Sequence, residues 1–189
     1  MRNWRISLGG LPPEGRQYVV DDPAVWQEPL ELFHMDCRVR TPLRADISVL
    51  PLEGGWLVRG ALKGEAVLPC ARCAEDAAAP IDTRFEDFAA MPGDETDDDG
   101  DAAEETAAGR QDGDDARVAL VGGVPHLDLA AVCWEEFLLA LPLAPLCRPD
   151  CKGLCARCGA NLNEGACACP KDEGDPRLAV LRGLKVRNN

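Results

Sequence analysis

Eight of the ten cysteines in this 189-residue chain stand in short groups: Cys70-x2-Cys73, then Cys147-x3-Cys151-x3-Cys155-x2-Cys158, then Cys167-x-Cys169. No other feature constrains the fold as strongly. Thiols this close in sequence form disulfides, cycle as redox couples or share a metal, and the compartment decides among these. Met1-Arg2-Asn3-Trp4-Arg5 is not followed by an apolar leader, and no run of about 18 apolar residues is present to span a membrane. A cytoplasmic, reduced protein is expected, with cysteines that bind metal.

Zinc takes four soft ligands in a tetrahedron, and a Cys-x2-Cys turn sets two sulfurs on one ion with backbone N–H groups aimed at the thiolates. Cys155-Ala156-Arg157-Cys158 is such a turn, and Gly159 after it lets it close tightly. Asn161-Leu162-Asn163-Glu164-Gly165 then returns the chain to Cys167-Ala168-Cys169. Cys155, Cys158, Cys167 and Cys169 are therefore expected to form one zinc site. With four sulfurs no position stays open for water, so the metal is structural and the protein is not an enzyme.

Two readings of the other four cysteines stand side by side. Cys70 and Cys73 join Cys147 and Cys151 in a second zinc site, which closes a long loop where a staple contributes most. Otherwise only the C-terminal site exists, and Cys70 and Cys73 are reduced thiols or a redox pair. The redox form makes the chain a thiol oxidoreductase using Cys70 and Cys73. It needs a strand before the pair and a helix after it, for which Ala74–Ala79 is the candidate, in a parallel α/β setting the sequence lacks. Cys37 and Cys133 read as buried small apolar residues. His34 and His126 lie away from the cysteine groups and read as structural.

The chain around these cysteines reads as α+β: an antiparallel β-meander with a buried helix and a C-terminal zinc-ribbon-like knuckle. Leu43, Ala45, Ile47 and Val49 alternate with polar residues, as one face of a strand does. Glu53-Gly54-Gly55 turns the chain into a second strand at Trp56–Leu62. Glu65–Leu68 makes a third strand, which delivers Cys70 and Cys73, and Ile81–Phe88 a fourth. Val118–Val121 is a further strand. Asp128 caps a helix from Leu129 to Leu141, apolar nearly all round and so expected to be buried nearly all round, and Pro142 and Pro145 end it. A last helix runs from Asp175 to about Leu184.

Charge divides the chain. Residues 93–117 hold eleven acids against Arg110 and Arg117, and account for nine of the thirteen net negative charges. Such a segment buries too little apolar surface to offset its ordering entropy. The expected organisation is a β-rich part at 1–91, an acidic disordered insertion at 92–117, a strand and helix at 118–146 completing the same domain, and the cysteine-rich knuckle with its helix at 147–189. Each zinc–tetrathiolate adds about −2, which disfavours broad phosphate binding. The tail beyond Asp175 is the exception, with Arg177, Arg182, Lys185 and Arg187 and no acid. Those cations serve RNA contact or, equally, a helix C-terminus.

Three stretches together resemble the YceD family of large ribosomal RNA subunit accumulation proteins. They are Leu141-Pro142-Leu143-Ala144-Pro145-Leu146-Cys147, then Cys151-Lys152-Gly153-Leu154-Cys155 through Cys158-Gly159-Ala160-Asn161-Leu162-Asn163, then Cys167-Ala168-Cys169. Cys70-Ala71-Arg72-Cys73 and Asp175-Pro176-Arg177-Leu178 fit the same pattern. The resemblance spans about residues 35–187, apart from the acidic insertion. It implies a non-enzymatic role in synthesis, processing or accumulation of large-subunit ribosomal RNA. The implied partner is a large ribosomal subunit precursor, held through ribosomal protein or ribosomal RNA. No catalytic residue carries over.

Overall fold

The computed structural model describes residues 4–92 and 117–170. Most of the expected acidic insertion therefore lies outside the described residues, as do the expected helix Asp175–Leu184 and the basic tail.

Two antiparallel sheets and two helices make an α+β fold. The larger sheet has the order β2-β3-β4-β5, built from Arg16–Val20, Arg38–Leu52, Gly55–Pro69 and Asp76–Ala90. The smaller has the order β1-β7-β6, built from Arg5–Ser7, Val124–Asp128 and Val118–Val121. Helix α1 spans Ala24–Leu32 and α2 spans Leu129–Ala140. The larger sheet is a meander, as the alternating pattern predicts. Leu43, Ala45, Ile47 and Val49 face inward and are almost fully buried.

Glu53 and Gly54 form the two-residue turn that closes the β3–β4 hairpin, with Leu52 opposite Gly55. Trp56–Leu62 and Glu65–Leu68, expected as separate strands, are one 15-residue strand, β4. The chain does not break at Gly64 because β3 bulges opposite it, with register shifts between Val39 and Arg44. Ala74–Ala79, the candidate helix, is instead a turn followed by the start of β5. Strands β1, β2 and β7 and helix α1 are additions to the expected elements.

Asp128 caps α2 as its position suggests, its Oδ1 accepting from Ala130 N at 3.0 Å and Ala131 N at 3.2 Å. The helix is not buried all round. Leu129, Val132, Cys133 and Phe137 face the core, a spacing of three and four residues. Leu139 is 80% exposed and Leu138 39%. The helix lies against β1, β2, β4, β5 and α1, which cover one side only. Trp134 stacks between Phe33 and Phe137, with centroids 6.0 and 5.6 Å away.

Arg117, just before β6, is only 14% exposed and pairs with Asp87 on β5 and Glu135 on α2. Cys133 is buried as expected, and burial pushes its thiol up to about 12. Cys37 is only half-buried; burial, with Asp36 beside it, raises its thiol. His34 follows α1 in a left-handed conformation with φ 50°, and His126 on β7 holds its Nδ1 2.9 Å from Val124 O. No helix among the described residues is long and apolar enough to cross a membrane.

Candidate metal centres

Strand β4 ends at Pro69 and β5 starts at Asp76, so Cys70 and Cys73 sit in the turn of a long hairpin. Cys70 N–H donates to Glu75 O at 2.7 Å and Ala74 N–H to Cys70 O at 2.9 Å. The Cys155–Cys158 turn repeats both bonds: Cys155 N–H donates to Ala160 O at 2.9 Å and Gly159 N–H to Cys155 O at 2.9 Å. Both turns read Cys-Ala-Arg-Cys and both end in a left-handed residue, Ala74 at φ 60° and Gly159 at φ 71°. Glycine accepts that conformation freely, whereas alanine is strained in it. The same knuckle is thus built twice.

After α2 the chain crosses the end of the β4–β5 hairpin. Ala71 N–H donates to Pro145 O at 2.8 Å, Arg72 Nη1 to Cys151 O at 2.8 Å, and Leu154 N–H to Arg72 O at 3.2 Å. Gly153 permits this approach: a Cβ there would sit 3.0 Å from Arg72 O. These contacts bring Cys147 and Cys151 to the first knuckle.

The eight clustered cysteines assemble as two groups of four. Cys70, Cys73, Cys147 and Cys151 hold their sulfurs within 4.8 Å of one another, and so do Cys155, Cys158, Cys167 and Cys169. In the first group Cys70 and Cys151 are 3.8 Å apart and Cys73 and Cys147 3.5 Å. Those spacings are too long for a disulfide, which needs about 2.05 Å. A tetrahedral ion about 2.3 Å from each sulfur sets the sulfurs about 3.8 Å apart. Either group can hold one metal ion. Cys70, Cys73 and Cys151 are buried, whereas the second group is half-buried with Cys158 exposed.

Local fields favour thiolate at some positions and thiol at others. The backbone N–H of Cys147 pulls Cys70 down to about 6. The N–H groups of Cys158 and Arg157 do the same for Cys155, also to about 6. The Asn163 amide lowers Cys151. Burial pushes Cys147 up to about 12, helped by the three neighbouring sulfurs. Cys169 reaches about 12 chiefly through its hydrogen bond with Cys158. At Cys73 the Glu75 N–H pulls down, but burial and the Cys151 and Cys70 sulfurs outweigh it. Four thiols so close do not all ionise unaided, and a bound cation removes that conflict.

The thioredoxin-like alternative required Cys73 to open a helix. It is followed instead by a left-handed turn and β5, and its sulfur lies against Cys147. Three contributors escaped the spacing argument: Arg72, Gly153 and Asn163. The repeated Cys-Ala-Arg-Cys points toward Arg72. Asn163 lies in the segment expected only to return the chain to Cys167, yet its Nδ2 donates to Cys151 Sγ at 3.3 Å, in the other group.

The chain is similar to several known proteins. A maize protein named large ribosomal RNA subunit accumulation protein YCED homolog 1, chloroplastic, is 33% identical over 159 residues, covering 77% of this chain and 54% of that protein. An uncharacterised protein of Mycobacterium tuberculosis is 30% identical over 152 residues, covering 80% of this chain and 65% of that one. One of Mycobacterium leprae is 29% identical over 145 residues, covering 76% and 59%. The chain thus spans between half and two thirds of the length of these relatives. No solved structure matches it. The family model described as large ribosomal RNA subunit accumulation protein YceD matches residues 58–185, which take in both cysteine groups, and the chain belongs to the YceD family.

Proposed function

We propose that this chain is a non-enzymatic ribosome-biogenesis factor of the cytoplasm. It supports synthesis, processing or accumulation of large-subunit ribosomal RNA. Zinc is its structural metal, held by Cys70, Cys73, Cys147 and Cys151 in one site and by Cys155, Cys158, Cys167 and Cys169 in the other. The observation that carries the metal assignment is the pair of all-sulfur groups, each with its four sulfurs within 4.8 Å. Four thiolates complete a tetrahedron around zinc and leave no position for a substrate or water, which favours scaffolding over catalysis. The first site joins the end of the sheet to the segment after α2, across the acidic stretch. The ribosomal role rests on the family name and on the maize relative.

The folded chain then presents a shape rather than a reaction centre. Its net charge of −13 grows more negative when both sites are loaded, so a basic ribosomal protein is the favoured contact and ribosomal RNA the lesser one. The test is gradient sedimentation of tagged full-length protein from actively growing cells, with depletion in parallel. Co-migration with large-subunit precursors, and loss of large-subunit relative to small-subunit RNA on depletion, are expected. A chain that stays at the top of the gradient, with unchanged RNA ratios on depletion, overturns the proposal.

A further inference from the structure

Asn163 reaches from the loop of the second cysteine group to a sulfur of the first. It lies between the sulfurs of the second group, beyond Cys158 and before Cys167, yet its side chain is spent on the first. Its Oδ1 accepts from Lys152 N–H at 2.8 Å and its Nδ2 donates to Cys151 Sγ at 3.3 Å. Lys152 N–H can only donate, which fixes the amide orientation: oxygen toward Lys152, NH2 toward the sulfur. Asn161 holds the amide in place, its Oδ1 accepting from Asn163 N at 3.1 Å and from Asn163 Nδ2 at 2.9 Å. Asn161 in turn pairs with Leu154 across the base of the second knuckle. Leu162 N–H donates to Gly153 O at 2.9 Å, tying the same loop to the segment that leaves Cys151.

The chain path makes this a mechanical link. Residues 154–161 form a hairpin whose turn holds Cys155 and Cys158, and Cys167 and Cys169 close it from the other side. Closing that loop on an ion fixes Asn161, and with it the amide that faces Cys151. An N–H···S bond stabilises thiolate and orients the ligand before the metal arrives, which is how groups beyond the ligands tune metal affinity.

We propose that the two metal sites load cooperatively and that Asn163 is the positioning residue coupling them, so an ion at Cys155, Cys158, Cys167 and Cys169 tightens the site at Cys70, Cys73, Cys147 and Cys151. Coupling is reciprocal, so an ion at the first site tightens the second by the same factor. This inference rests on the metal reading above.

The test is a cobalt(II) titration of the full-length apoprotein, reading thiolate-to-metal charge transfer, with a competing chelator to set affinities. Asn163→Ala is expected to weaken the first site about tenfold to a hundredfold. Cys158→Ser/Cys169→Ser, which disables the second site, weakens the first by a similar factor. Combining all three substitutions adds little, because both routes remove the same contact. Asn163→Asp keeps an acceptor for Lys152 N–H but has no N–H for the sulfur. It is expected to behave like Asn163→Ala, which a purely structural role in holding Lys152 does not produce. Two ions bound by wild type, with first-site affinity unchanged in Asn163→Ala or in the second-site variant, overturn the coupling and leave the metal reading intact. An apoprotein that takes no cobalt overturns both.

Discussion

The sulfur of Cys73, in the β4–β5 turn, lies 3.5 Å from the sulfur of Cys147, beyond α2, although 74 residues separate them. The contact spans the whole acidic segment and so closes a long loop of the chain. A metal there binds the folded chain and not the unfolded one, so its binding free energy is stability. Cys147→Ser is therefore expected to lower the zinc count in native mass spectrometry from two to one. At metal a hundredfold above Kd it should cost about 2.7 kcal/mol. Protease cleavage should appear between Leu141 and Cys147, where that segment loses its anchor on the hairpin. An unchanged count and an unaltered digestion pattern count against the first site.

The two Cys-Ala-Arg-Cys knuckles differ at their left-handed residue, Ala74 at φ 60° in one and Gly159 at φ 71° in the other. A left-handed L-residue costs about 1–2 kcal/mol, while glycine adds roughly 0.5–1 kcal/mol of unfolded-state entropy. Ala74→Gly should therefore stabilise the protein by about 0.5–1 kcal/mol, and Gly159→Ala should destabilise it by about the same. Denaturant melts of the metal-loaded protein read both. Shifts of the same sign would show that the two turns are not equivalent.

What could be read from the residues depended on how local their constraints were. The β3–β4 hairpin declares itself through the alternation Leu43, Ala45, Ile47, Val49 and the Glu53-Gly54 turn, both properties of a few neighbouring residues. Asp128 marks the start of α2 for the same reason. Helix α1 gives mixed local signals: Asp22 Oδ1 accepts from Ala24 N at 3.1 Å at its start, but Pro29 lies inside the helix that Val25, Trp26 and Leu30 stabilise by packing. Pro125 similarly conceals β7. The continuity of β4 through Gly64 depends on a bulge in a different strand, which no short window contains. Spacing pointed to Cys155, Cys158, Cys167 and Cys169 as one group, whereas the grouping of Cys70 and Cys73 with Cys147 and Cys151 was one of two open readings, because 74 residues separate the pairs and no local pattern joins them. Asn163 did not follow from spacing, because its partner Cys151 is twelve residues away and belongs to the other group.

The exposed side of α2 separates apolar composition from burial. Phe137 is fully buried, whereas Leu139, two residues on, is 80% exposed. Phe137→Ala should cost about 3–5 kcal/mol, since it removes a large side chain from a packed core. Leu139→Gln should stay within about 0.5 kcal/mol. Thermal unfolding of the two variants checks this, and a loss at Leu139 comparable to that at Phe137 would place a partner or further chain over the outer face of the helix.

Metal uptake by the first site should depend on pH with a definite sign. In the metal-free fold, Cys147 is held up at about 12 by burial and neighbouring sulfurs, and Cys73 is raised. Cys70 is drawn down to about 6 by the Cys147 N–H, and Cys151 is lowered by Asn163. At pH 7 the two raised thiols carry protons, and a tetrathiolate site must expel them. Calorimetry in buffers of different ionisation enthalpy should show at least two protons released per ion, measured in a Cys155→Ser/Cys158→Ser chain so that only this site binds. The ion holds all four sulfurs as thiolates, below the roughly 8.5 of an unfolded cysteine. These depressed groups contribute stability fully above that pH and lose it as pH falls. The affinity of the metal-free fold for the ion should fall more steeply below about 6, where Cys70 must also be stripped of a proton. Affinity that rises on acidification, or uptake with no proton release, would contradict a site of four thiolates.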